Sequence, residues 1–238
     1  TTPGLWAELT DVVGRFTMVD RVPVIAPLAE CGGVGVAGPD PMGRDAARSL
    51  VAQLVALHSP AEVVLAAIIP TSRLGDWSWL KWLPHVDSSF SPIEGQHLAS
   101  SGPTCDALLA QIESLIAERS AEDNKAASSH GVDIVLLVES EPPADWARIV
   151  RVAESGRSVG VATIWVGDSI AALPAVCGRF LTVSSSAGAH GIGVIEDGSF
   201  VTPVEVELLS VVDADRFARE LAPVSDAGAR LADEGELP

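Results

Sequence analysis

The stretch that most constrains this chain is Val34 to Leu50, VGVAGPDPMGRDAARSL. It reads as a short apolar strand, a tight Gly/Pro turn and an amphipathic helix, which is the shape of a phosphate-binding loop. The spacing agrees: Gly38, four residues, Gly43, then the basic Arg44. A working loop carries Lys and then Ser or Thr after its second glycine. Here Arg44 and Asp45 stand in those places, so the architecture is kept and the chemistry is changed.

A phosphate is held by backbone N–H groups that curl around it and by the positive end of the following helix. Pro39 and Pro41 each lack an N–H, which removes two donors from the cradle. Asp45 sets a negative charge where the β- and γ-phosphates would lie, and like charges repel there unless a metal ion screens both. The planar fork of Arg44 does not replace a compact ammonium. Asp40-Pro41 reads instead as a helix N-cap followed by proline at the first helical position. Such a cap contributes roughly 0.5–2 kcal/mol and takes the N–H groups that a phosphate would use. The expectation is a self-capped strand–turn–helix, with weak nucleotide binding and true hydrolysis as alternatives. Gly33, Gly35 and Gly38 also spell the dinucleotide fingerprint. Val34 and Val36 between them read as the strand itself, so that match is set aside.

The formal charge is −17, from 15 Lys and Arg against 32 Asp and Glu. A duplex DNA binder needs a basic patch to neutralise phosphates, so no nucleic-acid partner is expected. An acidic, solvated surface is. No run of 18 or more apolar residues offers a membrane span. With no initiator Met and no signal-peptide pattern, the chain reads as a piece of something longer. Cys31, Cys105 and Cys177 are far apart and odd in number, so neither a metal site nor a disulfide framework is implied. Reduced, cytoplasmic thiols are the default. The five histidines form no ligand cluster, and no metal site is expected.

Taken in order, residues 1–20 are a lead-in with an apolar stripe at Leu5, Leu9, Val12, Val13 and Phe16. Arg21 to Ala26 reads as a strand that forms an edge hairpin with Val34–Ala37. The helix after the loop should stop near His58-Ser59-Pro60. Val63–Ile69 and Val132–Val138 are continuous apolar runs, suited to strands buried on both faces of a parallel sheet. Between them, residues 70–103 break the rhythm with Trp77, Trp79 and Trp82. Three indoles so close either pack a loop onto the domain or offer a docking surface. Thr104 reads as the N-cap of a helix through Arg119, and residues 120–131 as a polar loop. Glu139 and Ser140 end the next strand, where a P-loop ATPase places a Mg²⁺-binding acid and a base. The plainer expectation is carboxylates at a solvent-facing strand end. Then follow a helix over 143–155, a strand over 158–166, a short helix over 168–173 and a strand over 179–183. Residues 188–207 alternate around Asp197-Gly198, a hairpin turn. Val212–Leu221 is a final helix, and residues 224–238 an acidic linker. The fold class is α/β: a three-layer P-loop NTPase-like fold (RecA/FtsK-type), with a mainly parallel sheet and an appended hairpin and helix. Residues 21–223 form the domain.

Five sequence blocks carry a resemblance: RVPVIAPL before the strand, VGVAGP at the loop, LVALHSP closing the helix, WSWLKWLPHV, and the late LAPVSDA. Together they resemble EccC, the FtsK/SpoIIIE-type ATPases of type VII secretion. The part resembled is the ATPase-like domain between the transmembrane helices and the first complete ATPase domain. The resemblance implies a module of a membrane-embedded motor that exports WXG100-type substrates. Its partners would be the neighbouring ATPase domains and other secretion-complex components, on the cytoplasmic side of the inner membrane. Carried over, Gly38, Gly43, Arg44, Asp45 and Glu139 are the positions of a degenerate nucleotide site. Trp77, Trp79 and Trp82 are docking candidates. No catalytic residue and no cofactor are implied for this domain. The alternatives are a divergent ATPase using ATP and Mg²⁺, and a DNA-translocase module.

Overall fold

The computed structural model describes residues 22–123, 131–186, 189–195 and 197–224, together with Gly4, Trp6 and Val13. The expected lead-in stripe apart from Val13, most of the 120–131 loop and nearly all of the 224–238 linker lie outside the described residues. An eight-stranded sheet forms the centre. Its strands are β1 (Gly33–Ala37), β2 (Val63–Ile68), β3 (Leu98–Ala99), β4 (Asp133–Val138), β5 (Val161–Gly167), β6 (Arg179–Thr182), β7 (Gly191–Val194) and β8 (Phe200–Val201). They lie in the order β3-β2-β4-β5-β1-β6-β7-β8. Every pairing from β3 to β6 is parallel, and β7 and β8 add on antiparallel.

The apolar runs explain the centre. Strand β2, nearly all of β4, and β5 are buried along their length because helices cover both faces. On one face lie α1 (Met42–Leu57), the Trp-bearing turns over 74–82 and α4 (Val211–Leu221). On the other lie α2 (Gly102–Asp123) and α3 (Trp146–Gly156). Ser210 caps α4 by accepting from the Asp213 N–H, and Asp145 caps α3 by accepting from Ala147.

Several local expectations are corrected. Residues 22–27 form no strand and enter a short helix, Leu28–Cys31. Strand β1 is central, paired with β5 and β6, so no edge is left for a hairpin with that segment. Helix α2 starts at Gly102, two residues before Thr104, whose hydroxyl accepts from the N–H groups of Ser100 and Ser101. The glycines within β1 are packing residues. A Cβ on Gly35 would come within 2.4 Å of Leu173, and one on Gly33 within 2.6 Å of Thr163.

The excursion over 70–103 returns to the sheet through its backbone. Leu65 donates to His85 O, Ala67 to His97 O and Ile69 to Ala99 O. Both histidines are buried. Nε2 of His85 meets His58 O at 2.7 Å, and Nε2 of His97 meets Ser91 Oγ at 2.7 Å. Burial pushes both imidazoles below the ordinary histidine range. The unfolded chain therefore takes up protons near pH 6.5 that the folded chain refuses, and stability falls as pH drops through that value. The limit is about 1.4 kcal/mol per pH unit for each histidine. The expected result is a thermal midpoint lower at pH 5.5 than at pH 7.5, with a smaller fall in His97→Gln. An equal fall in the variant assigns the loss to other groups.

Candidate functional site

Strand β1 ends at Ala37 and the chain turns through Gly38–Pro41 into α1. Strands β4 and β5 end at the same carboxyl edge, where α/β sheets bind ligands. One strand, β5, separates β1 from β4. With strands about 4.8 Å apart, that gap is roughly 10 Å, which a long side chain can bridge.

Arg44, in the first turn of α1, bridges it. The guanidinium is 2 % exposed and meets Glu139, which is fully buried at the end of β4. Nε lies 3.2 Å from Oε2, and Nη2 lies 3.0 Å from Oε1. This is the bidentate fork that favours Arg over Lys. Nη2 also donates to Ser140 Oγ at 3.2 Å, and Nη1 meets Asp40 at 3.0 Å. Asp168, just after β5, stands 3.6 Å from Nη2, and Asp76 stands 4.0 Å from Nε. Burial works against the charge, but Glu139 and then Asp40 outweigh it and hold the Arg44 pKa above its ordinary value.

Glu139 is saturated. Besides Arg44, it accepts from Trp77 Nε1 at 2.6 Å and from the N–H and hydroxyl of Ser140 at 3.0 and 2.8 Å. A carboxylate offers about four lone-pair sites, so none is left for a metal ion. The expectation of a solvent-facing Glu139 is thereby corrected: a buried cation and a tryptophan draw the carboxylate inward.

Three of the loop's donors are spent within the protein. The N–H of Gly38 goes to Gly167 O, that of Gly43 to Pro39 O and that of Asp45 to Pro41 O. Gly38 and Gly43 pack on each other, and a Cβ on Gly43 would lie 2.7 Å from Gly38 O. Asp40 is not the helix cap. Helix α1 begins at Met42 behind Pro41, without a side-chain cap. Asp40 turns to Arg73 and Arg44, each at 3.0 Å, because two guanidiniums are stronger partners than a backbone N–H. Arg73 first, and Arg44 after it, hold the Asp40 carboxyl below the usual carboxylate range. The Asp45 carboxylate pairs with Arg48.

The structure thus brings Gly38, Gly43, Arg44 and Glu139 to one place, with Asp45 engaged one turn along. Trp77, Asp40, Asp76 and Asp168 complete that place and were not assigned to it from the sequence. Asp168 had a signal, since it directly follows a parallel strand at the carboxyl edge. Trp77 and Trp79 are buried, Trp82 half-buried. Docking through Trp77 and Trp79 is corrected, because these indoles fill the core against α1. Among the described residues no group of His, Cys, Asp and Glu suits a metal ion, and no helix is long and apolar enough to cross a membrane.

No protein-family profile matches the chain. Curated relatives do. The ESX secretion system protein EccC of Geobacillus thermodenitrificans is 27% identical over 155 residues, 65% of this chain and 10% of that protein. The ESX-4 secretion system protein EccC4 of Mycobacterium tuberculosis is 30% identical over 79 residues, 33% of this chain and 6% of that protein. The chain therefore spans a tenth or less of the length of these relatives. Among solved structures, ATPases 2 and 3 of EssC from Geobacillus thermodenitrificans match with a TM-score of 0.58 at 12% identity, over 81% of this chain and 44% of that one. The fold is accordingly the P-loop ATPase type, with a hairpin and helix appended. In sequence and in fold, the chain is similar to an EccC-type type VII secretion ATPase region.

Proposed function

We propose that residues 21–223 are a non-hydrolysing, ATPase-like module of a type VII secretion motor. It couples a membrane anchor to the active ATPase domains of the same chain. Gly38, Gly43, Arg44, Asp45 and Glu139 mark a nucleotide site that has been closed from within. The observation that carries this reading is the buried Arg44–Glu139 pair. It occupies the carboxyl edge between β1 and β4 and uses the carboxylate that a Mg²⁺-nucleotide would need. In this reading the module lies on the cytoplasmic side of the inner membrane, with residues 1–20 as its lead-in segment. Residues 224–238 are its acidic linker. WXG100-type substrates are handled by the parent motor.

The reading is tested by the unfolding midpoint with and without millimolar Mg-ATP. A ligand at 100 times its Kd stabilises by about 2.7 kcal/mol, which for a domain of this size moves the midpoint by roughly 5–11 °C. The expected result is no shift. A clear shift, with Mg²⁺-dependent turnover lost in Arg44→Ala, establishes the divergent ATPase instead.

A further inference from the structure

We infer that α4 is a strap whose seating holds Trp77 against Glu139, so that displacing α4 loosens the Arg44–Glu139 pair. The idea deepens the proposed coupling role, because it gives that role a physical route from the α4 end of the domain to the closed site.

The segment between Asp76 and Trp82 is tied at both ends, and both ties lead to α4. At the first end, buried Arg48 is the fastener. Its Nε donates to Leu209 O at 2.9 Å, its Nη1 reaches Asp76 O at 3.5 Å, and its Nη2 pairs with Asp45. Leu209 in turn donates its N–H to Asp45 O at 3.0 Å. One guanidinium thus joins the residue next to Trp77, the first turns of α1 and the entry to α4. At the other end, the Arg219 guanidinium lies 4.3 Å over the Trp82 ring and is held there by Asp215 at 2.6 Å. Between the two ties, Ala214 and Ala218 are fully buried. Their small side chains let the helix axis approach the Trp turns closely.

Trp77 sits between these fasteners. Its indole is stacked on Trp79, with centroids 6.4 Å apart, and its N–H is committed to Glu139. The Asp76 carboxylate adjoins Arg44. Movement of α4 is therefore delivered to both members of the buried pair. Coupling of this kind is reciprocal: loosening Glu139 also loosens α4.

The test uses the whole 238-residue chain, labelled with ¹⁵N and free of nucleotide. The Trp77 indole signal is assigned by its loss in Trp77→Phe. In Arg219→Ala, a change on an exposed side chain, the Trp77 indole hydrogen should exchange about 2–30-fold faster, the factor that corresponds to losing a cation–π contact. Amides of α4 should speed up with it, while those of α3 and β5 keep their rates. Glu139→Gln should in turn speed the α4 amides. Faster exchange in α4 with an unchanged Trp77 indole overturns the strap. So does unchanged exchange at both, since the Arg219 stacking then carries no load. Because no nucleotide is present, the result stands apart from the Mg-ATP test, which alone decides whether the site is closed.

Discussion

Arg44→Ala is expected to destabilise the protein by about 3–5 kcal/mol, the cost of stripping a buried charge of its partner. For a domain of this size that lowers the midpoint by roughly 6–20 °C. The size of the effect follows from what remains. Glu139 is fully buried, and without Arg44 its carboxylate keeps only the donors of Trp77 and Ser140. Asp40 retains Arg73 and partial exposure, so it contributes much less to the loss. Arg44→Lys should recover only part, because an ammonium cannot make the paired bonds of the fork. The double variant Arg44→Met with Glu139→Leu should be more stable than Arg44→Ala, since apolar side chains of similar volume can replace a buried pair without loss. Urea unfolding of the wild type and the three variants checks the series. If Arg44→Ala leaves stability unchanged, the guanidinium is not a structural pin, and a ligand-binding role regains its claim on the residue.

The frame of the fold was legible because it is written in runs. Val63–Ile68 and Ile134–Val138 are too apolar for any place but a covered parallel sheet, and helix α1 stops before Pro60 as it must. The strand expected over 21–26 failed for a physical reason. Pro23 cannot donate to a ladder, and β1 finds both its neighbours more than a hundred residues away, in β5 and β6. The site was legible in its parts and not in its pairing. Arg44 and Glu139 each stood out at a functional position, yet they lie 95 residues apart, and no spacing rule says that β5 alone will intervene. A carboxylate at a strand end ordinarily faces water. Only the cation across the gap and the indole above it turn this one inward. The Asp40 cap failed likewise, because its competing partner Arg73 comes from a segment with no periodicity to place it.

Trp79→Ala carries the second large effect, a loss of about 3–5 kcal/mol, as expected for truncating a fully buried indole. Trp79 has no exposed surface and packs in the cluster that joins α1, β2 and α4. Its removal leaves a cavity that flanking side chains fill only in part. Trp77→Phe separates packing from polarity at the neighbouring ring. It keeps most of the apolar volume but takes the N–H away from Glu139, at a cost of about 1–3 kcal/mol for a buried acceptor short of a donor. Trp82→Ala should cost less than Trp79→Ala, because its ring is half-buried and lies beneath Lys81 and Arg219. Denaturant unfolding of the three variants tests this order. A docking surface predicts the reverse: little change in stability, with the loss confined to partner binding. If Trp79→Ala unfolds at the wild-type midpoint, the indole is not a core residue, and the Trp segment returns as a contact site.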